Sequence, residues 1–530
     1  MTRRIIIGSR GSDLALWQAK YVMKKLEDIG VVSELKIIRT KGDEVTLSFD
    51  KMEGKGFFTK EIEDALLSKE IDLAVHSHKD LPTTSPPGLL IAAVSTREDP
   101  SELLLINRGS VDEKNKFSLK NGALIGTSSA RRKSQLLAWR PDVKIEDLRG
   151  NVPTRIKKLK DNKYDAILIA SAGVSRLEIA LDDLHVEKLD PHEFIPAPAQ
   201  GVLAMQVRES DEELIKVVGK INDAEASETT AVERKVMNLF QGGCQLPLGV
   251  ICEKDENENG ETIFKVRAAK AEAWDRMPKY IYLESKKTTG LAEKVQAVLT
   301  ASDTNTVKKL FISRDERKND LFKRCLEAHG YNVYAQSLIE IKQVPMRRYV
   351  KCDWVFFSSK NAVKHFFDQK PDVEGSKFAA VGKATADEIR KYGRRAEFIG
   401  SSDDTRMTGK KFSALVGRKT ILFPQAKVSM KTIQLQLKQE QIIDVVVYET
   451  IKQVSGFRFQ VSEMDVLAFT SPSNVDTFHE KYKILPGQKV VAMGDATANA
   501  LKKYGVRPDK MSISFDDLGL VQAVFALDIK

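Results

Sequence analysis

A chain of 530 residues that is 42% hydrophobic and 30% charged has room for several domains of ordinary globular composition, which excludes a single-domain reading. The formal net charge of +10 points to an anionic partner: nucleic acid, a membrane surface, or a polycarboxylate or phosphate ligand. Four cysteines, Cys244, Cys252, Cys325 and Cys352, with no CxxC pair, exclude a disulfide scaffold and a cysteine zinc site and fit a reducing cytosol.

At the N-terminus, Arg3 and Arg4 precede only three isoleucines, which read as a first strand and not as a signal peptide. No apolar run approaches the roughly 18 residues that a membrane span needs, so a soluble, cytoplasmic protein is expected. Residues 5–7 are followed by the loop Gly8-Ser9-Arg10-Gly11-Ser12 and a helix over 13–27, with Leu14, Trp17, Tyr21 and Leu26 on or near one face. The loop brings Arg10 and Ser12 to a helix N-terminus whose unpaired N–H groups favour an anion, although Ser12 or Asp13 acting only as a cap fits the same pattern. A strand over 35–39 leads to Gly54-Lys55-Gly56-Phe57-Phe58 and a helix over 59–69, and Lys55 is either solvated or reaches a ligand over its loop.

The segment from Ile71 to Pro82 is a strand ending near His76, which puts Lys79 and Asp80 at its carboxyl end, where open α/β sheets hold ligands. His76 and His78 share a strand face, but no third ligand stands near them, so no metal is expected. Asp80, beside Lys79 and the arginines that follow, stays ionised and suits the stabilisation of a developing cation. The same strand, loop and helix order recurs at Ala123 to Lys133, where Thr127, Ser128 and Ser129 lead into a helix opening with Arg131 and Arg132. Cations in a first turn run against the helix dipole, and such a local violation marks a ligand site. Asn151 is a cap and Pro153 lies in the first turn of a further helix, flanked by Arg149 and Arg155. Five loop or first-turn arginines, Arg10, Arg131, Arg132, Arg149 and Arg155, favour a convergent carboxylate or phosphate site.

A strand over 165–170 precedes Ser171-Ala172-Gly173. Pro196 to Gly201, with Gln200, is a crossing linker, and the strand after it returns to the first sheet, making the first domain discontinuous. A smaller α+β unit, about 221–299, carries a helix over 229–239, the loop Gly242-Gly243-Cys244-Gln245-Leu246-Pro247 and a solvated turn over 253–260. The two glycines leave the Cys244 thiol open to something large, or Cys244 is a small buried residue after a helix end.

These motifs together resemble hydroxymethylbilane synthase, also called porphobilinogen deaminase, over residues 1 to about 300. The match runs through Ala15-Leu16-Trp17-Gln18-Ala19, Gly54-Lys55-Gly56, Ala74 to Pro82, Gly126 to Ser129, Arg131-Arg132, Leu148 to Asn151, Thr154-Arg155 and Gly242 to Gln245; Ala130 departs from a leucine common in relatives. The resemblance implies two periplasmic-binding-protein-like α/β domains, 1–98 with 198–218 and 99–197, and a small α+β domain, 219–300, that presents the cysteine. It implies a dipyrromethane cofactor attached to Cys244 through a thioether, with Cys244 as anchor and not as turnover nucleophile. Arg10, Ser12, Lys55, Lys79, Thr127, Ser128, Ser129, Arg131, Arg132, Arg149, Arg155 and Gln200 are the implied cofactor and substrate binders, and Asp80 the catalytic carboxylate. The implied transferase reaction joins four porphobilinogen units with loss of ammonia through an azafulvenium cation.

After a polar linker, 301–306, the second half is again α/β and contains an internal repeat. Phe357-Ser358-Ser359 matches Phe469-Thr470-Ser471, Gly382-Lys383-Ala384-Thr385-Ala386 matches Gly494-Asp495-Ala496-Thr497-Ala498, and Lys391-Tyr392-Gly393 matches Lys503-Tyr504-Gly505, all at an offset of 112 (382 to 494). Each unit puts Ser or Thr at a helix N-terminus, as a cap or to capture carboxylates. This half resembles uroporphyrinogen-III synthase. The resemblance implies two flavodoxin-like α/β domains, 307–342 with 452–530 and an inserted 343–451, and a lyase-type ring closure of hydroxymethylbilane with inversion of its last ring. Tyr448 is the implied catalytic residue, and Ser359, Thr385, Ser471 and Thr497 the implied binders.

The expectation is a porphyrin and heme biosynthesis enzyme that acts on porphobilinogen and hydroxymethylbilane, with no nucleic acid, membrane, metal or obligatory protein partner. Two alternatives stay open: an active first half with a C-terminal binding module, and an anion-binding receptor, since fold does not settle function. Nucleic-acid binding lacks interleaved aromatics or a basic helix.

Overall fold

The computed structural model of this chain describes residues 4–40, 59–241, 245–257, 259–301, 307–346, 351–401, 404–453 and 459–528. It divides into two compact units, 1–111 with 119–301 and 112–118 with 302–530.

The first unit holds two five-stranded sheets of the same design. One runs in the order Ser33–Ile37, Ile5–Ser9, Leu73–Ser77, Leu203–Arg208, Leu89–Val94. The other runs Lys144–Glu146, Leu124–Gly126, Ala166–Ala170, Glu102–Asn107, Leu184–Leu189. In each, the first three strands are parallel and the fourth is antiparallel to both its neighbours. The inner strands are deeply buried, with all of Leu203–Arg208 and Ala166–Ala170 out of solvent, as expected where both faces of a sheet are covered.

The helix Asp13–Asp28 buries part of the face its pattern predicts, with Leu26 in the core and Tyr21 packed against it, but its most buried side chains include smaller ones. Gln18, Ala19, Val22 and Leu26 are buried, while Trp17 and Tyr21 stack on each other at 5.6 Å and Tyr21 reaches Thr96. Small Ala19 and Val22 let the helix lie close on the sheet, and the large rings serve its flank.

The chain passes between the sheets twice, and the two crossings touch. Glu98 N donates to Gly201 O at 3.1 Å and Ser95 N to Leu203 O at 3.0 Å. Gly201 has φ +88°, and a Cβ there would fall 2.2 Å from Glu98 O, so only glycine permits the approach. An antiparallel sheet, Leu248–Glu256, Thr262–Lys270 and Lys279–Ser285, packs with the helices Ala224–Leu239 and Leu291–Thr300. The first of these helices begins five residues before its predicted start, because Asp223 caps it by accepting Ala226 N at 2.8 Å.

The second unit contains an all-parallel sheet, Tyr331–Ala335, Lys308–Ile312, Val466–Phe469, Lys489–Ala492, Lys510–Met511, whose strands in chain order read 2-1-3-4-5. Its other sheet runs Ile339–Gln343, Ile442–Lys452, Ile421–Ala426, Trp354–Phe357, Lys377–Ala380, Ala396–Ile399. Only Ile339–Gln343 is antiparallel there, paired to Ile442–Lys452. Residues 339–342, grouped by sequence with the first of these sheets, therefore hydrogen-bond into the second; the alternating Ile-Glu-Ile-Lys pattern fits either edge and left the choice to pairing.

Candidate active site

Parallel strands end on one side of their sheet, and the loops leaving those ends carry the chemistry. Ile5–Ser9 and Leu73–Ser77 are parallel neighbours, so the loop with Arg10 and Ser12 and the turn with Lys79 and Asp80 leave from one edge. In the second sheet the ends of Leu124–Gly126, Lys144–Glu146 and Ala166–Ala170 likewise deliver Thr127 to Arg132, Arg149 to Arg155, and Ser171 to Arg176.

His78–Asp80 forms a single 3-10 turn and Asp80 is exposed. Lys79 Nζ donates to Gln200 Oε1 at 3.1 Å. Gln200 Nε2 donates to Pro100 O at 2.7 Å and to Glu102 Oε1 at 3.2 Å. Glu102, with no exposure at all, is the hub: Arg131 Nη2 lies 2.5 Å and Arg132 Nη2 2.7 Å from its two oxygens. Burial works against its ionisation, but Arg132, Arg131 and Lys79 overcome this and hold the carboxyl at about 2. Burial pulls Lys79 and Arg131 below their ordinary ranges. Arg155 is lowered to about 10 by burial and then by Arg132, with Asp80 opposing. Lys79, Asp80, Arg131, Arg132 and Arg155 thus form one electrostatic cluster.

The sequence presents Arg131 and Arg132 as outward ligand binders, whereas much of their donor capacity is spent inside the protein. Besides Glu102, Arg131 Nη1 binds Ile195 O and Arg132 Nη1 binds Leu168 O, each at 3.0 Å. Arg132 Nε remains buried without a hydrogen-bond partner. The hydroxyls hold loops. Ser12 and Ser129 accept Ala15 N and Arg132 N at 3.4 and 3.5 Å as helix caps. Ser128 both donates to Leu148 O and accepts Leu148 N, at 3.0 and 3.1 Å, and Thr127 Oγ1 accepts Ser129 N. Arg10 and Arg149 are half-buried at their loop ends, and Arg155 Nε donates to Gly150 O at 2.7 Å. Lys55 and Cys244 lie outside the described residues.

His78 has left the strand for the turn, so the two histidines do not share a strand face as expected. His76 pairs with Gln206 at 3.2 Å. Burial lowers His76 to about 4, and burial followed by Arg234 and Arg97 lowers His78 to about 3. Among the described residues no three metal-ligating side chains gather.

Sequence reasoning missed Glu102 and Arg176. Glu102 had a signal: it is the acid heading the strand Glu102–Asn107, apolar from Leu103 through Ile106 and buried along that stretch, where a lone carboxylate demands cationic partners. Arg176 is 8% exposed, donates to Gly201 O at 2.7 Å and lies 5.6 Å over the Trp17 ring, with its Nε unpartnered.

In the second unit Ser359 and Ser471 adopt the same backbone, φ −160° and −161°, and cap the helices Lys360–Phe367 and Pro472–His479. Ser359 Oγ also lies 3.3 Å from the Tyr448 hydroxyl. Burial pushes the Tyr448 phenol up, against the Ser359 hydrogen bond. Thr385 and Thr497, read from sequence as binders, are 5% and 1% exposed and lie in the first turns of the helices Lys383–Lys391 and Gly494–Lys503.

Residues 5–216 match the family model "Porphobilinogen deaminase, dipyromethane cofactor binding domain", and residues 320–522 match "Uroporphyrinogen-III synthase HemD". The porphobilinogen deaminase of Oceanobacillus iheyensis is 44% identical over 259 residues, 48% of this chain and 82% of that protein. That of Bacillus subtilis is 44% identical over 280 residues, 50% of this chain and 87% of that protein. A uroporphyrinogen-III synthetase structure from Helicobacter pylori covers 42% of this chain and 99% of that one at 17% identity and TM-score 0.31; the assignment of the second half rests on the family model. With relatives at 44% identity covered over 82% and 87% of their length, the chain belongs to the porphobilinogen deaminase family, joined in one polypeptide to a uroporphyrinogen-III synthase.

Proposed function

We propose that this chain carries out two consecutive steps of porphyrin synthesis, with Asp80 at the centre of the first. It polymerises porphobilinogen to hydroxymethylbilane with release of ammonia and then closes that product, with inversion of the last ring, to uroporphyrinogen III. The observation that carries the assignment is an exposed carboxylate, Asp80, at the rim of a cluster in which Lys79, Arg131, Arg132 and Arg155 outnumber Glu102 and Asp80.

The donor set fits a polycarboxylate pyrrole chain. Positive charge is in excess, the buried Nε atoms of Arg132 and Arg176 have no hydrogen-bond partner, and Arg10 and Arg149 each stand on a loop that leaves a strand end, one in each sheet. A dipyrromethane group anchored at Cys244 supplies, when bound, the pyrrole end to which new units are joined. Asp80 accepts hydrogen bonds from pyrrole N–H groups and stabilises the positive charge left on porphobilinogen as ammonia departs. The arginines, Lys55, Lys79, Gln200, Thr127, Ser128, Ser129 and Ser12 hold acetate and propionate groups directly or by shaping the loops that do. In the second half Tyr448, kept protonated by burial, donates a proton to the departing hydroxyl of the bilane, and the capping serines orient its carboxylates.

The two similar sheets of the first unit support two periplasmic-binding-protein-like domains, 1–98 with 198–218 and 99–197, beside a cysteine domain over 219–300. The strand order 2-1-3-4-5 supports a flavodoxin-like domain built from both ends of the second half. No described helix is long and apolar enough to cross a membrane, and we place the enzyme in the cytoplasm.

The test is to incubate the purified chain with porphobilinogen, oxidise the product and separate uroporphyrin I from III. Predominant isomer III is expected. Predominant isomer I means a silent second half, and no porphyrin from protein whose intact mass includes two pyrrole units overturns the assignment of the first.

A further inference from the structure

The turn that carries Lys79 and Asp80 is held from behind by a side chain of another element. Arg234, on the helix Ala224–Leu239, donates through Nη1 to His78 O at 2.8 Å and to Leu81 O at 3.3 Å. Its Nη2 donates to Leu81 O at 3.2 Å and to Pro82 O. Carbonyls on both sides of the Lys79-Asp80 pair are thus gathered by one planar guanidinium, while His78 N is fixed to Val202 O at 2.9 Å. A 3-10 turn of three residues has little hydrogen bonding of its own, so external donors set its geometry.

The neighbouring residue on the same helix grips a different place. Glu233, fully buried, takes Arg97 through both nitrogens and accepts Ala199 N at 2.6 Å and Cys252 N at 2.7 Å. One helical turn therefore ties the catalytic turn, the crossing between the sheets and the small antiparallel sheet together. In sequence the helix ends at Leu239, shortly before Cys244.

We infer that Arg234 is a positioning residue for the first reaction: it sets Asp80 by fixing the backbone of residues 78–82, and it makes that placement depend on the seat of the helix leading to the cofactor cysteine. The inference rests on the reading of Asp80 as the reacting carboxylate. Lysine retains the charge but has a single nitrogen, so Arg234→Lys keeps the electrostatics and loses the fork that spans three carbonyls.

The experiment uses the full chain with cofactor, verified by intact mass, and compares wild type, Arg234→Lys, Asp80→Glu and the double variant. Arg234→Lys is expected to assemble its cofactor, to lose about tenfold or more in kcat per loaded molecule, and to keep KM within about twofold. In the Asp80→Glu background the same substitution should cost less than about threefold, because the carboxylate is already displaced. Backbone amide exchange of a peptide covering 78–85 should rise at least about tenfold while strands such as Leu203–Arg208 stay protected. Unchanged exchange at 78–85, or full multiplicativity of the two substitutions, overturns the inference. Exchange reads the clamp without turnover. If Asp80→Ala keeps wild-type activity, the assignment of Asp80 fails, whatever exchange shows of the clamp. If Arg234→Lys does not fold, Arg234→Gln with the same exchange readout replaces it.

Discussion

Glu233 lies wholly out of solvent and receives Arg97 through both terminal nitrogens, at 2.8 and 2.6 Å. The pair sits where the chain crosses between sheets and where the helix Ala224–Leu239 meets the small antiparallel sheet. Removing one partner leaves the other charge buried alone. Glu233→Gln is expected to destabilise the first unit by about 3 kcal/mol, read as a lower urea midpoint, and an unchanged midpoint contradicts the role given to the pair.

Glu102 makes a pH-dependent contribution of definite sign. Its carboxyl goes from an ordinary 4.5 to about 2 in the folded chain. A group lowered on folding stabilises fully above its unfolded value and loses that contribution as pH falls through the folded one. Glu102→Gln should therefore cost on the order of 3 kcal/mol near neutral pH. The gap to wild type, followed by denaturant unfolding, should close as pH drops from 4.5 toward 2. A gap that widens on acidification is incompatible with an ionised Glu102.

Asp80 is exposed and its loop is held by other groups, so its removal should spare the fold. Asp80→Ala is expected to keep the melting temperature within a degree or two and to lose roughly 100-fold or more in porphobilinogen consumption. Near-normal turnover contradicts the assignment.

For the second half the product ratio is the sensitive quantity. Tyr448→Phe removes a hydroxyl near Ser359 and leaves the ring packed beside His365 at 5.7 Å. Isomer III should give way to isomer I at unchanged porphobilinogen consumption. An unaltered ratio would make the hydroxyl dispensable.

Gly201→Ala combines a left-handed backbone with a Cβ 2.2 Å from Glu98 O. A loss of about 3 kcal/mol or failure to accumulate as soluble protein is expected, compared with little effect for Gly219→Ala, which has open space around it.

The local grammar of strand, loop and helix was readable because each signal lies within a few residues. The capping serine Ser129, Asn151 with Pro153, and the spacing of Ser359 and Ser471 all announce helix starts. What stayed hidden is long-range. Nothing near Arg131 in sequence says that its charge is met by a carboxylate 29 positions earlier, on an antiparallel strand of the same sheet. The buried face of Asp13–Asp28 is only partly legible: Leu26 and Tyr21 meet the core as their size suggests, while small Ala19 and Val22, which carry little pattern signal, make the closer packing.

The contact between the two crossings has a genetic corollary. All five strands of the second sheet come from one uninterrupted stretch, 102–189, whereas the first sheet needs both Leu89–Val94 and Leu203–Arg208. A single DNA segment can encode the former for grafting or exchange between homologues. The latter is inherited only as a pair of separated fragments, so recombination breakpoints that preserve activity should fall at both crossings at once.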